Sequence, residues 1–77
     1  MQEVTKRVWE IIANHYKTTG YKGSSIVIPF DIREKRIEIA KELVYNGLIN
    51  NYDYYGKDKL QYTLSEKAQL LLDTEKK

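Results

Sequence analysis

The chain contains no cysteine, which removes disulfides, cysteine-ligated zinc and thiol nucleophiles together. It has one histidine, His15, so any metal site would have to be built almost wholly from carboxylates. Proline occurs once and glycine four times, so the chain has few places where regular structure must break. No apolar run approaches the ~20 residues that span a bilayer, and the N-terminus lacks the apolar stretch of a signal peptide. The expected setting is therefore cytoplasmic, with no membrane contact. Neither sign of charge dominates: 13 Lys and Arg stand against 11 Asp and Glu, a net charge of +2.

What is present is globular. The 77 residues suffice for one small domain, and 42% hydrophobic with 31% charged residues is not the composition of a disordered chain. Seven tyrosines, a tryptophan and a phenylalanine supply aromatic bulk. A chain of this length buries only roughly 60% of its unfolded surface.

Periodicity places a first helix from about Glu3 to Thr18. Val4, Val8, Trp9, Ile11, Ile12, His15 and Tyr16 fall within one arc of about 160°. Gly20 stops the helix, because glycine readily takes the left-handed conformation at a helix end. Residues 21–25 read as a mobile connector. Ile26-Val27-Ile28 before Pro29 reads as an edge strand, with a single irregular helical turn as the alternative. A second helix is expected after Asp31, capped by Asp31 with Glu34 three residues on. Ile37, Ile39, Ala40, Leu43 and Val44 would form its buried face, and Glu34, Lys35, Glu38, Lys41, Glu42 and Tyr45 its polar face. Asn46-Gly47 ends it.

Two alternating runs follow, Ile49–Tyr55 and Leu60–Leu64, joined by the charged loop 56–59, which is a hairpin pattern. Ser65 caps a last helix with Glu66 in its first turn. Leu70-Leu71-Leu72 cannot all turn inward. A leftover leucine beside Trp9 or Ile12 would suit a two-fold homodimer through the C-terminal helix. The domain is expected over residues 1–73 and a charged, frayed tail over 74–77.

This order, with two stretches in particular, resembles the winged helix-turn-helix superfamily. Residues 32–49, from Ile32-Arg33-Glu34-Lys35-Arg36 to the exit Gly47-Leu48-Ile49, look like the turn and recognition helix. Tyr62-Thr63-Leu64-Ser65-Glu66-Lys67-Ala68 is similar to the phrase that leaves the wing and opens the last helix. More loosely, the chain looks like the small YjcQ-like winged-helix proteins of Gram-positive bacteria and their phages. The resemblance implies an α+β fold: a single winged helix-turn-helix domain with three main helices and a small antiparallel sheet. In this chain the usual second helix would fall on residues 24–30, so it is either short or replaced by a strand.

The resemblance also implies a DNA-binding regulator of transcription whose recognition helix starts near Ile32 and whose wing tip is the 56–59 loop. Arg33, Lys35 and Arg36 would then contact phosphates and guanines, while Lys57, Lys59 and Tyr55 hold the backbone. Against this, Glu34, Glu38 and Glu42 recur every four residues and would make one ridge of the helix acidic. The alternative partner is a protein, held by Glu38, Lys41, Glu42 and Tyr45. His15 reads as a packed helix-end residue. No matched acid/base pair and no phosphate-cradling glycine loop is found, so neither catalysis nor a cofactor is expected.

Overall fold

A computed structural model describes residues 1–75. The chain runs as helix α1 (Glu3–Thr19), strand β1 (Gly23–Val27), a 3-10 turn (Phe30–Lys35), helix α2 (Arg36–Tyr45), strands β2 (Ile49–Tyr55) and β3 (Lys59–Leu64), and helix α3 (Glu66–Glu75). The three strands form one antiparallel sheet in the order β1-β3-β2. This is the α+β layout expected of a winged helix: three main helices, a hairpin, and a third strand on the hairpin's inner edge. Over residues 24–30, where the usual second helix would fall, the strand expectation holds, shifted to start at Gly23 and end at Val27. A strand occupies 23–27 and pairs with the hairpin, and one 3-10 turn follows it.

α1 buries Thr5, Val8, Ile12, Ala13 and Tyr16, and Gly20 ends it at φ 75° with its N–H bonded to Tyr16 O at 2.7 Å. The expected connector 21–25 is shorter than its composition indicated. Gly23, Ser24 and Ser25 already pair with Thr63, Tyr62 and Gln61. The His15 ring is hydrogen-bonded to the Ser24 hydroxyl at 2.7 Å, joining the end of α1 to β1.

The largest correction concerns residues 30–37. α2 begins at Arg36, not near Ile32, and Asp31 does not cap it. Asp31 instead forms a two-pronged ion pair with Arg7 of α1, at 2.9 and 3.3 Å. That contact holds the 3-10 turn against α1, and Ile32 is buried beneath it. α2 buries a narrower arc than its apolar pattern indicates. Ile39, Ala40 and Leu43 are fully buried, whereas Ile37 and Val44, expected in the core, are exposed. α2 ends as the sequence indicates, in a Schellman arrangement with Gly47 at φ 71°. Gly47 N–H bonds to Val44 O at 2.9 Å, and Leu48 N–H to Leu43 O at 3.0 Å.

The hairpin forms where the alternating runs indicate, pairing Tyr54 with Leu60 and Tyr55 with Lys59, with a bulge near Asn50; Lys59, expected in the loop, opens β3 because it pairs with Tyr55. Ile26, Leu60 and Tyr54 lie on the inner face beside buried Tyr62, and Val27, Lys59 and Tyr55 lie on the outer face. Ser65 caps α3, accepting the Ala68 N–H at 3.1 Å. The helix runs on to Glu75, so residues 74 and 75 of the expected tail are helical; Lys76 and Lys77 lie outside the described residues. Tyr16 OH donates to Asp73 at 2.9 Å and Lys17 pairs with Glu75 at 3.3 Å, and these contacts fasten the last turn to α1.

Candidate nucleic-acid interface

In a 3-10 turn, residues three apart eclipse one another. The turn therefore aligns Phe30, Arg33 and Arg36 in one row that leads from the end of β1 into α2. The Arg33 guanidinium lies over the Phe30 ring, 4.4 Å from its centroid. Arg36 donates to Arg33 O at 3.1 Å, and its guanidinium lies 5.9 Å from the centroid of Tyr54 in β2. The Tyr54 hydroxyl in turn donates to Arg36 O. The row thus ends against the wing, with a positive side chain on the face of an aromatic ring at each end.

The wing loop is held to the same segment. Ile28 N–H bonds to Asp58 O at 2.6 Å, which places the loop beside the residues just before Phe30. Lys57 and Lys59 are exposed, Lys59 on the outer sheet face between Val27 and Tyr55. The Tyr55 hydroxyl donates to Gln61, so its ring lies along the hairpin surface.

The structure therefore brings the two expected groups of residues to adjoining positions, but in different states. Lys35, Lys57 and Lys59 extend into solvent, whereas Arg33 and Arg36 are half-buried and held by aromatic rings. Phe30, which sequence reasoning missed, is 79% exposed. Its signal was present in the sequence, since Phe30, Arg33 and Arg36 recur at intervals of three. That spacing carries meaning only once the segment is known to be 3-10.

The expected acidic ridge does not form as a ridge. Regular α-helical register starts at Arg36, so Glu34 is out of line with Glu38 and Glu42. The Glu42 carboxylate accepts the Gln2 backbone N–H at 2.7 Å, and that bond holds it below the usual carboxylate range. Arg7 offsets Asp31 in the same way and depresses its pKa, chiefly through the hydrogen bond.

The four residues of the expected protein-binding face are also brought together. Glu38, Lys41, Glu42 and Tyr45 line an open groove of about 390 Å³ with Gln2, and Tyr45 is 89% exposed. Among the described residues no group of three or more His, Cys, Asp or Glu could hold a metal ion, and no helix is long and apolar enough to cross a membrane. The chain matches no family model, no curated protein and no solved structure.

Proposed function

We propose that this chain is a small cytoplasmic winged-helix protein that binds duplex DNA and regulates transcription. The observation that carries the reading is the row Phe30–Arg33–Arg36, which joins the start of α2 to the wing through Tyr54. A helix start and a wing held in one surface is the geometry by which such a domain lays a helix end in the major groove and a hairpin along adjacent phosphates. In this reading Arg33 and Lys35 face the groove, Arg36 anchors the row against Tyr54, and Lys57, Lys59 and Tyr55 face the backbone. Glu34 stands off the line of Glu38 and Glu42, so the three carboxylates do not form one continuous acidic ridge.

The test is an amide NMR titration with mixed-sequence duplex DNA at low and then moderate salt. Shifts should gather at Phe30–Arg36 and Lys57–Lys59 and weaken as salt rises, and Lys57→Ala should lower both affinity and the salt slope, by about one unit of the slope. An unmoved spectrum at low salt, where nonspecific binding reaches ~10⁻⁴ to 10⁻⁶ M, would end this reading.

A second reading has its own observation. The groove of Gln2, Glu38, Lys41, Glu42 and Tyr45 adjoins exposed Ile37 and Val44, a mixed apolar and polar helix face suited to a protein partner. If the NMR spectrum is unmoved by DNA and a copurifying protein is lost on Tyr45→Ala in a folded variant, this second reading replaces the first.

A further inference from the structure

We propose that Arg33 reads a guanine edge and that Phe30 is its positioning residue; this rests on the DNA reading above and assigns its sequence preference to one side chain. The three cations at this end of α2 differ in what the fold already asks of them. Arg36 is engaged internally, donating to Arg33 O and lying by the Tyr54 ring. Lys35 is exposed, and its ammonium is a point charge on a flexible stem, which suits a phosphate and cannot make a two-pronged contact. Arg33 alone combines a fixed place with unused donors. Its guanidinium is seated over Phe30, and among the described residues no carboxylate or carbonyl accepts from it.

Phe30 has no comparable role in the core. It is the chain's only phenylalanine and is 79% exposed. By holding Arg33 it reduces the rotamer freedom that the long side chain would lose on binding. A planar, five-donor fork held at the start of a helix next to a wing matches O6 and N7 of guanine, both acceptors. Adenine presents a donor at the corresponding N6 position and would be rejected.

The experiment is selection from a randomised duplex pool, followed by atom replacement. Wild-type protein should enrich a motif with one dominant guanine. Replacing that base with 7-deazaguanine removes the N7 acceptor and keeps Watson–Crick pairing. The replacement should weaken wild-type binding about tenfold, which is ~1.4 kcal/mol. Arg33→Lys keeps the charge but cannot make the two-pronged contact, and should bind the two duplexes within about twofold of each other. Phe30→Ala should lose the same discrimination and Phe30→Tyr should restore it; a merely structural Phe30 would not yield that pattern. Because both side chains are at the surface, circular dichroism should show all three variants folded. If Arg33→Lys still discriminates, or the bound pool shows no dominant guanine, the assignment to Arg33 is overturned while DNA binding stands. If no duplex is retained even at low salt, the DNA reading fails, and this assignment with it.

Discussion

The phenol of Tyr54 is half-buried on the inner face of β2, where its hydroxyl bonds to Arg36 O and its ring receives the Arg36 guanidinium. Burial raises its pKa to about 12, and the buried phenol of Tyr62 is raised to about 12 in the same way. Both groups favour the neutral form in the folded protein. The stability they contribute is therefore fully present below the ordinary tyrosine pKa of ~10 and is lost as pH rises from there through 12. A phenolate absorbance titration should show Tyr54 and Tyr62 ionising above ~10 and together with loss of structure. Tyr54→Phe should cost about 1 kcal/mol in urea unfolding, the size of one hydrogen bond. It should also loosen the junction that sets α2 against the wing. At the acid end, the depressed Asp31 works in the opposite sense. Its contribution is present above the unfolded carboxylate pKa and disappears as pH falls through the lower folded value. Asp31→Asn should therefore lower the melting temperature slightly near neutral pH and leave it unchanged in strong acid.

At the scale of elements, the helix ends are where sequence and structure agree or part. Gly20, Asn46-Gly47 and Ser65 act as the sequence indicates because their effect is local, either a positive φ or a side-chain oxygen near a free N–H. Ser65 adds a tertiary link, since its hydroxyl also donates to Gly47 O. Ser65→Ala thus removes a cap of α3 and a contact to the end of α2, and should cost about 1–2 kcal/mol by urea denaturation. A loss below a few tenths would show that neither bond matters. The start of α2 is the opposite case. Asp31 and Glu34 have the spacing of a capping box, but Arg7 on another element takes the Asp31 carboxylate, and the segment winds as a 3-10 turn instead. No local rule within residues 30–37 contains Arg7. Ile37 and Val44 lie at the edge of the apolar arc, and how wide an arc a helix buries is set by the elements packed on it, not by its own periodicity.

For the molecule as a whole, the C-terminal helix leaves Leu70 69% and Leu71 46% exposed and buries Leu72. Ile12, expected as a possible surface neighbour, is fully buried, and Trp9 packs against the core. Of the expected dimer patch, Leu70 and Leu71 of α3 are thus its exposed apolar residues. We propose that a second copy pairs there, giving a dimer with two DNA-facing ends. Sedimentation should show concentration-dependent dimerisation that Leu70→Glu abolishes with no loss of helix content. A wild-type monomer at all concentrations would reject the pairing.

Much of this protein was legible in the order of its residues. The α+β class, the two hairpin strands, the helix stops and the closeness of Glu38, Lys41, Glu42 and Tyr45 all follow from patterns spanning a few positions, where backbone geometry alone decides which side chains are neighbours. The extension of α3 to Glu75 does not, because Tyr16 and Lys17 of α1 hold its last turn. Nor does the row of Phe30, Arg33 and Arg36 against Tyr54. That row requires a 3-10 turn between an ion pair to α1 and a strand brought alongside by the sheet. Only the tertiary structure decided it, because the contacts that fix the turn at its two ends, Arg7 with Asp31 and Tyr54 with Arg36, come from residues distant in sequence.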